Sequence, residues 1–405
     1  MLSPASAAVV RATLPLVRAH DVAITSEFYS SMFATHPELL DLFNQGNQAD
    51  GRQKLALASA VVGFAEHLTG NGKTMPFDRI AERIAHKHVS LGIRAEQYPI
   101  VGRHLLDAVG TVLGAEVTAA VFAAWHEVYW LLACRLIAAE SRLYERGALD
   151  PADHWRRWRV AKRLDETVDV VSFTLVPDDD TTVPDFLPGQ YVSVAVDLPD
   201  GRRQPRQYSL SQGPGRGSLR LTVRRVRGRD GTPDGAVSTH LHDHLTEDET
   251  LLLGPPAGET TLTSDDDPVL LVSAGIGITP MAAMLDHLAR AQPTRRIVLA
   301  HADRSPAHHA LRRECARTAG GLADVEELLW YESGSDERSR PGFMDVDALP
   351  VPPGATAYLC GPLPFMHHIR AGLIRRGLAP ERVRYEVFGP GMLDRVDRPA
   401  AGARR

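Results

Sequence analysis

Four stretches carry residue types whose spacing suits chemistry. Arg206-Gln207-Tyr208-Ser209 sets a guanidinium, an aromatic ring and a hydroxyl in alternation at the end of a strand-like run. Alternation puts Arg206 and Tyr208 on one face and Gln207 and Ser209 on the other. An arginine fork suits a phosphate and a tyrosine face suits a flat ring. Taken alone, a solvated edge arginine beside a core tyrosine is the plainer reading. Pro188-Gly189-Gln190 turns the chain into the apolar run Tyr191–Val196, which brings a second aromatic, Tyr191. Further on, Ala274-Gly275-Ile276-Gly277-Ile278-Thr279-Pro280 follows the apolar run Val269–Ser273 and opens a helix over Pro280–Arg290. Its glycines let the backbone approach a pyrophosphate, the helix start favours the charge, and Pro280 suits a first turn. Cys360-Gly361-Pro362 ends another strand-like run, and Cys360 reads either as a small core residue or as part of a site there. Near the other end of the chain, Ile80, Ile84 and His88 are four apart and share one helical face. A neutral imidazole on an apolar stripe is either a hydrogen-bonded core residue or a ligand to haem iron in an apolar porphyrin pocket. His86 falls roughly 200° around the same helix and is expected to face water.

The elements that position these residues change character along the chain. Helical periodicity runs through 3–20, 22–34, 52–69, 77–90, 96–113 and 116–145, interrupted at His36-Pro37-Glu38 and Asn44-Gln45-Gly46-Asn47. Six or more helices with short connections predict a globin-like or bundle fold. After the stop at Gly147-Ala148-Leu149-Asp150-Pro151, strands are predicted over Arg157–Leu164, Val168–Val176, Tyr191–Val196, Gln207–Ser211, Leu219–Val226 and Thr250–Leu253. These suggest an antiparallel barrel. The basic run Arg224, Arg225, Arg227, Arg229 reads mostly as a solvated strand and hairpin, with a phosphate patch as the other reading. From about residue 265 strands and helices alternate, the pattern of a parallel α/β sheet. Boundaries are therefore expected at 1–147, 148–264 and 265–390, with 391–405 a disordered tail lacking a packing pattern.

Composition narrows the function classes. The 405 residues are 44% hydrophobic and 23% charged, as in an ordinary globular protein of two to three domains. A net charge of −5 argues against nucleic acid as a partner. No apolar run approaches the ~20 residues of a membrane span, and the first residues lack a signal-peptide pattern. Cys134, Cys315 and Cys360 are far apart and odd in number, so neither a disulfide framework nor a zinc site is expected, and the compartment expected is the reducing cytoplasm.

Residues 1–147 resemble the globin domain of the bacterial flavohaemoglobins. The likeness rests on Phe28-Tyr29-Ser30-Ser31-Met32-Phe33, His36-Pro37-Glu38-Leu39, Leu42-Phe43-Asn44, Ile84-Ala85-His86-Lys87-His88 and Glu96-Gln97-Tyr98-Pro99-Ile100-Val101-Gly102-Arg103-His104-Leu105-Leu106. The resemblance implies that His88 is the proximal ligand of haem b iron, with Tyr98 and Glu140 as its hydrogen-bond partners. It places Tyr29 as the distal tyrosine that donates to bound O₂, Gln53 and Leu57 at the other distal positions, Phe43 as the ring wedging the haem, and Lys87 among the haem contacts. The later motifs resemble the ferredoxin–NADP reductase superfamily. They imply that Tyr191, Arg206, Gln207, Tyr208 and Ser209 hold FAD, together with Ser238 at the start of a short helix. Gly275, Ile276, Gly277, Ile278, Thr279 and Pro280, with Cys360, Gly361 and Pro362, are implied to bind NADH or NADPH. Glu386, Val387, Phe388, Gly389 and Pro390 are implied to return to the flavin. Ile278 stands where a polar residue is common, and Val387 where cysteine is common. Asp303 and Arg304 follow the next strand. An acid there suits a free ribose and an arginine a phosphate, so the pair does not decide between the two nucleotides.

What the resemblance implies is a nitric oxide dioxygenase: electrons from NAD(P)H pass through FAD to haem iron, and NO is oxidised by O₂ to nitrate. The expected partners are O₂, NO and NAD(P)H, with a monomer and no stable membrane insertion. Two rivals stay open, a haem reductase acting on peroxides or other acceptors, and an oxygen or redox sensor.

Overall fold

The computed structural model describes residues 2–42, 52–70, 77–147, 149–198, 201–228 and 232–388, with the backbone alone at 52–56 and 152. Phe43, Gly389, Pro390, the tail and the side chain of Gln53 therefore lie outside the described residues. The chain divides into two compact units, Met1–Trp155 with Pro199–Arg206, and Arg156–Leu198 with Gln207–Arg405.

The first unit is helical: α1 Pro4–Ala19, α2 Asp21–Thr35, α3 Arg52–Thr69, α4 Phe77–Leu91, α5 Tyr98–Leu113 and α6 Ala119–Arg146. Local chemistry sets the helix starts. The Ser3 hydroxyl accepts from Ser6 N at α1, which has proline in its first turn, and Thr118 accepts from Val121 N at α6. On α4 the residues Phe77, Ala81, Ala85 and Val89 are four apart and all buried, which fixes the face turned to the core. The row Ile80, Ile84, His88 lies beside it, half-buried. α5 and α6 approach closely at Gly102, where a Cβ would stand 2.3 Å from the Tyr129 ring, so only glycine fits. By length and composition α6 could cross a membrane, but it serves here as a core helix and buries Val128, Leu132, Leu136 and Glu140.

The second unit holds two six-stranded sheets. β1 Arg156–Thr167, β2 Val170–Pro177, β3 Tyr191–Asp197, β4 Arg203–Ser209, β5 Leu219–Arg224 and, after helix α7 Ala236–His244, β6 Thr250–Leu253 form the order β4-β3-β6-β1-β2-β5. The described pairings are antiparallel, and a bridge between Leu210 and Leu221 joins the ends of the two outermost strands, so the sheet curls on itself. β4 straddles the division between units, with Arg203–Arg206 falling in the helical one. It starts four residues earlier than the periodicity predicts, because Pro205 breaks the apolar alternation without breaking the strand.

The second sheet runs β10-β9-β8-β7-β11-β12, with β7 Val269–Ala274, β8 Ile297–Asp303, β9 Val325–Tyr331, β10 Arg340–Pro341, β11 Thr356–Cys360 and β12 Val383–Glu386, all parallel. Helices α8 Ile278–Ala291, α9 Arg312–Gly320 and α10 Leu363–Arg375 connect them. Strands β7 and β11 are almost wholly buried, as a parallel sheet covered on both faces requires. The two sheets are fastened to each other. The Arg220 guanidinium takes both Glu314 oxygens at 2.6 and 2.7 Å, and Asp286 accepts from Gly213 N at 2.9 Å while also pairing with Arg216 and Arg290.

Candidate functional site

In the helical unit α4, α5 and α6 bring His88, Tyr98 and Glu140 together. His88 Nδ1 lies 2.7 Å from Glu140 Oε1, and the Tyr98 hydroxyl donates to the same oxygen at 2.5 Å. Glu140 is buried at 3% exposure. A buried carboxylate needs donors, and here it has two. With Nδ1 as a donor, the lone pair of the imidazole is on Nε2, the nitrogen a metal would take. Burial, and then the Glu140 charge, push the Tyr98 hydroxyl far above its ordinary pKa, so it is always a donor here. Tyr129, which no motif singled out, locks this arrangement: its hydroxyl donates to Tyr98 O at 2.5 Å, and Gly102 makes room for its ring. His154 is a second such residue. It sits at 7% exposure with Nε2 3.3 Å from Ser90 O, two residues after His88 on α4.

Tyr29 is buried on α2, edge-to-face with Phe28 and stacked with Phe33, and burial raises its pKa, so the phenol stays protonated. Leu57 lines an apolar cavity of about 30 Å³ with Ile24, Val61, Leu106 and Val109. Lys87 is half-buried beside His88 on α4. His86 departs from expectation. It is half-buried rather than in water, and burial lowers its pKa, opposed by Glu82 and aided by Arg146. Helical phase alone could not show that α6 runs past that side of α4.

In the second unit Tyr191 is buried and Gln207 and Tyr208 are half-buried; Arg206, which counts with the helical unit, is half-buried too. Gln207 donates to Ser193 Oγ at 3.1 Å, and Arg206 donates to Pro205 O at 2.7 Å. Ser209 Oγ at the end of β4 and Thr239 Oγ1 on α7 are buried without a protein partner. Such orphans fit a polar ligand that supplies the missing bonds. Ser238 is used differently from the expectation that it meets an anion. Its hydroxyl accepts from Val226 N at 3.1 Å and donates to Gly235 O at 3.0 Å, so it builds the turn into α7 and leaves Thr239 as the unsatisfied group.

The Gly275–Pro280 loop packs against the turn that ends β11. A Cβ on Gly277 would lie 2.3 Å from Cys360 O, so the loop can rest on the Cys360-Gly361-Pro362 turn only with glycine there. Thr279 donates its hydroxyl to Ile276 O at 3.0 Å, and Pro280 lies in the first turn of α8. Ile276 is half-buried, whereas Ile278 is buried among Val269, Leu271 and Met281, so it can reach a ligand only through its backbone. Cys360 is fully buried, and burial, then Glu386, push its thiol well up, which removes it as a nucleophile. Glu386 is paired in register with Cys360, and Val387 and Phe388 follow, the latter 47% exposed.

Comparison with known proteins agrees segment by segment. Residues 26–135 match the Globin family model, 158–261 the Oxidoreductase FAD-binding domain and 271–371 the Oxidoreductase NAD-binding domain. Proteins named Flavohemoprotein from Bordetella parapertussis and Chromobacterium violaceum are 43% and 41% identical, each alignment covering 96% of this chain and 99% or 98% of the relative. The crystal structure of flavohemoglobin from Malassezia yamatoensis with bound FAD and heme is 33% identical with a TM-score of 0.86, over 96% of this chain and all of that one. The FAD/NAD-binding part of the nitric oxide dioxygenase from Vibrio cholerae is 34% identical with a TM-score of 0.56, over 58% of this chain and all of that one. Fold and site thus define a globin joined on one chain to a flavin- and nicotinamide-dependent oxidoreductase. Among such proteins, the chain belongs to the flavohaemoprotein family.

Proposed function

We propose that this chain is an NAD(P)H-dependent nitric oxide dioxygenase, converting NO and O₂ to nitrate as a cytoplasmic monomer, with a globin module at 1–147, a flavin module at 148–264 and a nicotinamide module at 265–390. When bound, haem supplies an iron that takes O₂, and FAD accepts hydride from NAD(P)H and releases single electrons. His88 Nε2 is the iron ligand. The buried Glu140 carboxylate fixes its tautomer and makes the imidazole more electron-donating, which favours oxygen chemistry over storage. Tyr98 holds that carboxylate in place. Tyr29 and Leu57 would face the bound O₂, with the Tyr29 hydroxyl as the proton-bearing donor. Arg206 and Tyr208 orient the flavin, whose polar edge takes the orphaned Ser209 and Thr239 hydroxyls. Gly275–Pro280 seats the nucleotide pyrophosphate, while Glu386, Val387 and Phe388 return to the flavin.

The observation that carries this reading is the His88–Glu140–Tyr98 triad, a carboxylate-backed histidine on a chain that also carries a reductase. The test is an absorption spectrum of purified protein, first oxidised, then with NADH or NADPH without oxygen, then with O₂ and NO added. The expected result is a Soret band over a flavin shoulder, reduction of both by the nucleotide, and NO consumed to nitrate. Reduction of both centres without nitrate formation would remove the dioxygenase reading.

A further inference from the structure

The last turn of α4, which carries His88, is closed in part by a residue far along the chain. Three of its carbonyls are met locally. Gly92, at φ +73°, turns the chain so that Ile93 N donates to His88 O at 3.0 Å and Gly92 N donates to Val89 O at 3.2 Å. That pair of bonds is a glycine stop of the Schellman kind. The Ser90 hydroxyl donates to Lys87 O at 2.8 Å. Ser90 O is left over, one of the carbonyls that a helix end exposes. Its partner is His154, whose Nε2 donates to it at 3.3 Å across 64 residues of sequence. The imidazole is buried against the turn itself: a Cβ on Gly92 would stand 2.9 Å from its Cγ and Cδ2. Trp155 packs edge-on to it, with the ring centroids 4.9 Å apart. With Nε2 donating, Nδ1 keeps a lone pair, and that nitrogen is buried without a protein partner. A ring that only filled space would be better apolar, because an unpaired buried polar atom costs stability. What the imidazole adds over a hydrocarbon is the bond to Ser90 O.

We propose that His154 is a positioning residue for the iron ligand: through Ser90 O it holds the last turn of α4, and with it the seat of the His88 ring on Glu140. The carbonyl of His88 itself closes that turn, and its Nδ1 meets Glu140 on α6 at 2.7 Å. A hydrogen bond weakens steeply as its angle departs from linear, so a small roll of the turn loosens the bond that makes the imidazole electron-donating. His154 and Trp155 lead directly into β1, so the segment that ends the helical unit is fastened to the helix of the ligand. The inference rests on the reading of His88 as the iron ligand.

The test is resonance Raman spectroscopy of the full-length protein, ferrous and free of oxygen, reading the iron–histidine stretch. The rate of haem loss to excess apomyoglobin is the second readout. His154→Leu fills the site without a donor. Its stretch is expected at lower frequency than the wild type's, and its haem loss about tenfold faster, the lower end of the effect of losing a partner of a ligating histidine. His154→Gln keeps a donor and should bring both readouts back towards the wild type. Flavin reduction by NADH should be the same in all three proteins. A stretch and a haem-loss rate in His154→Leu equal to the wild type's overturn the inference and leave His88 standing as the ligand. Equal changes in His154→Leu and His154→Gln also overturn it, since the ring would then act by its shape. His154→Ala takes the place of His154→Leu, with the same outcomes, if the leucine variant does not fold. Wild-type ferrous haem without an iron–histidine stretch overturns the ligand reading and the inference with it.

Discussion

At the scale of single residues, the His88–Tyr98–Glu140 triad is governed by one buried charge. Glu140 accepts from two donors on different helices, so removing its charge weakens both bonds at once. Glu140→Gln is expected to lower nitrate production by about 10–100-fold, the usual effect of losing the partner of a ligating histidine. Unaltered turnover, with haem content preserved, would take Glu140 out of this role. His154 gives a pH prediction. Burial pushes its pKa down to about 4 from 6.5, with the bond to Ser90 O opposing. The native imidazole therefore stays neutral where the unfolded chain's would take a proton. The stability this group contributes is full above about pH 6.5 and is lost as pH falls towards about 4. His154→Gln should flatten that acid limb in a plot of Tm against pH; a limb as steep as the wild type's would contradict it.

At the scale of elements, two close approaches do most of the positioning. α5 meets α6 through Gly102, and the Tyr129 ring in that gap holds the main chain of Tyr98. Gly102→Ala puts a methyl into the ring, an overpacking that costs about 1–3 kcal/mol. Calorimetry should show a lower melting transition for the helical unit, with the flavin's visible absorption unchanged. In the other unit, Asp286 at the middle of α8 fastens the nucleotide sheet to the Gly213–Arg216 turn of the flavin sheet. Asp286→Ala should slow flavin reduction by NADH about tenfold or more, because a misplacement of ~1 Å between reacting groups costs up to about 100-fold. A wild-type rate at full FAD content would mean that the remaining Arg220–Glu314 pair suffices.

At the scale of the whole molecule, the residues proposed to hold iron and those proposed to hold the nucleotide fall in different compact units, each with its own core. His88→Ala is expected to abolish haem incorporation while NADH still reduces the flavin at the wild-type rate. Loss of both together would mean that the helical unit's integrity governs the reductase.

The sequence by itself determined the helical order of the first third, the three classes of fold, and the motifs at Arg206–Ser209, Gly275–Pro280 and Cys360–Pro362. Periods of 3.6 and 2, glycine-bearing turns and residue spacing are local properties, and they survive without a partner. On α4 the repeat of Ile80, Ile84 and His88 came close to the inward face, which the structure places one row over at Phe77, Ala81, Ala85 and Val89. What only tertiary structure decided are relations between residues far apart in the chain. His86 is sheltered through its place beside α6, Ser238 spends its hydroxyl on Val226, Ile278 is core, and Asp169 gathers Arg224 and Arg304 across 135 residues of sequence. Burial and hydrogen-bond pairing depend on which surfaces meet, and no local pattern encodes that. The arginines after β5 show the difference most directly: the same sequence reads as a solvated hairpin until the fold places one guanidinium at Gly275.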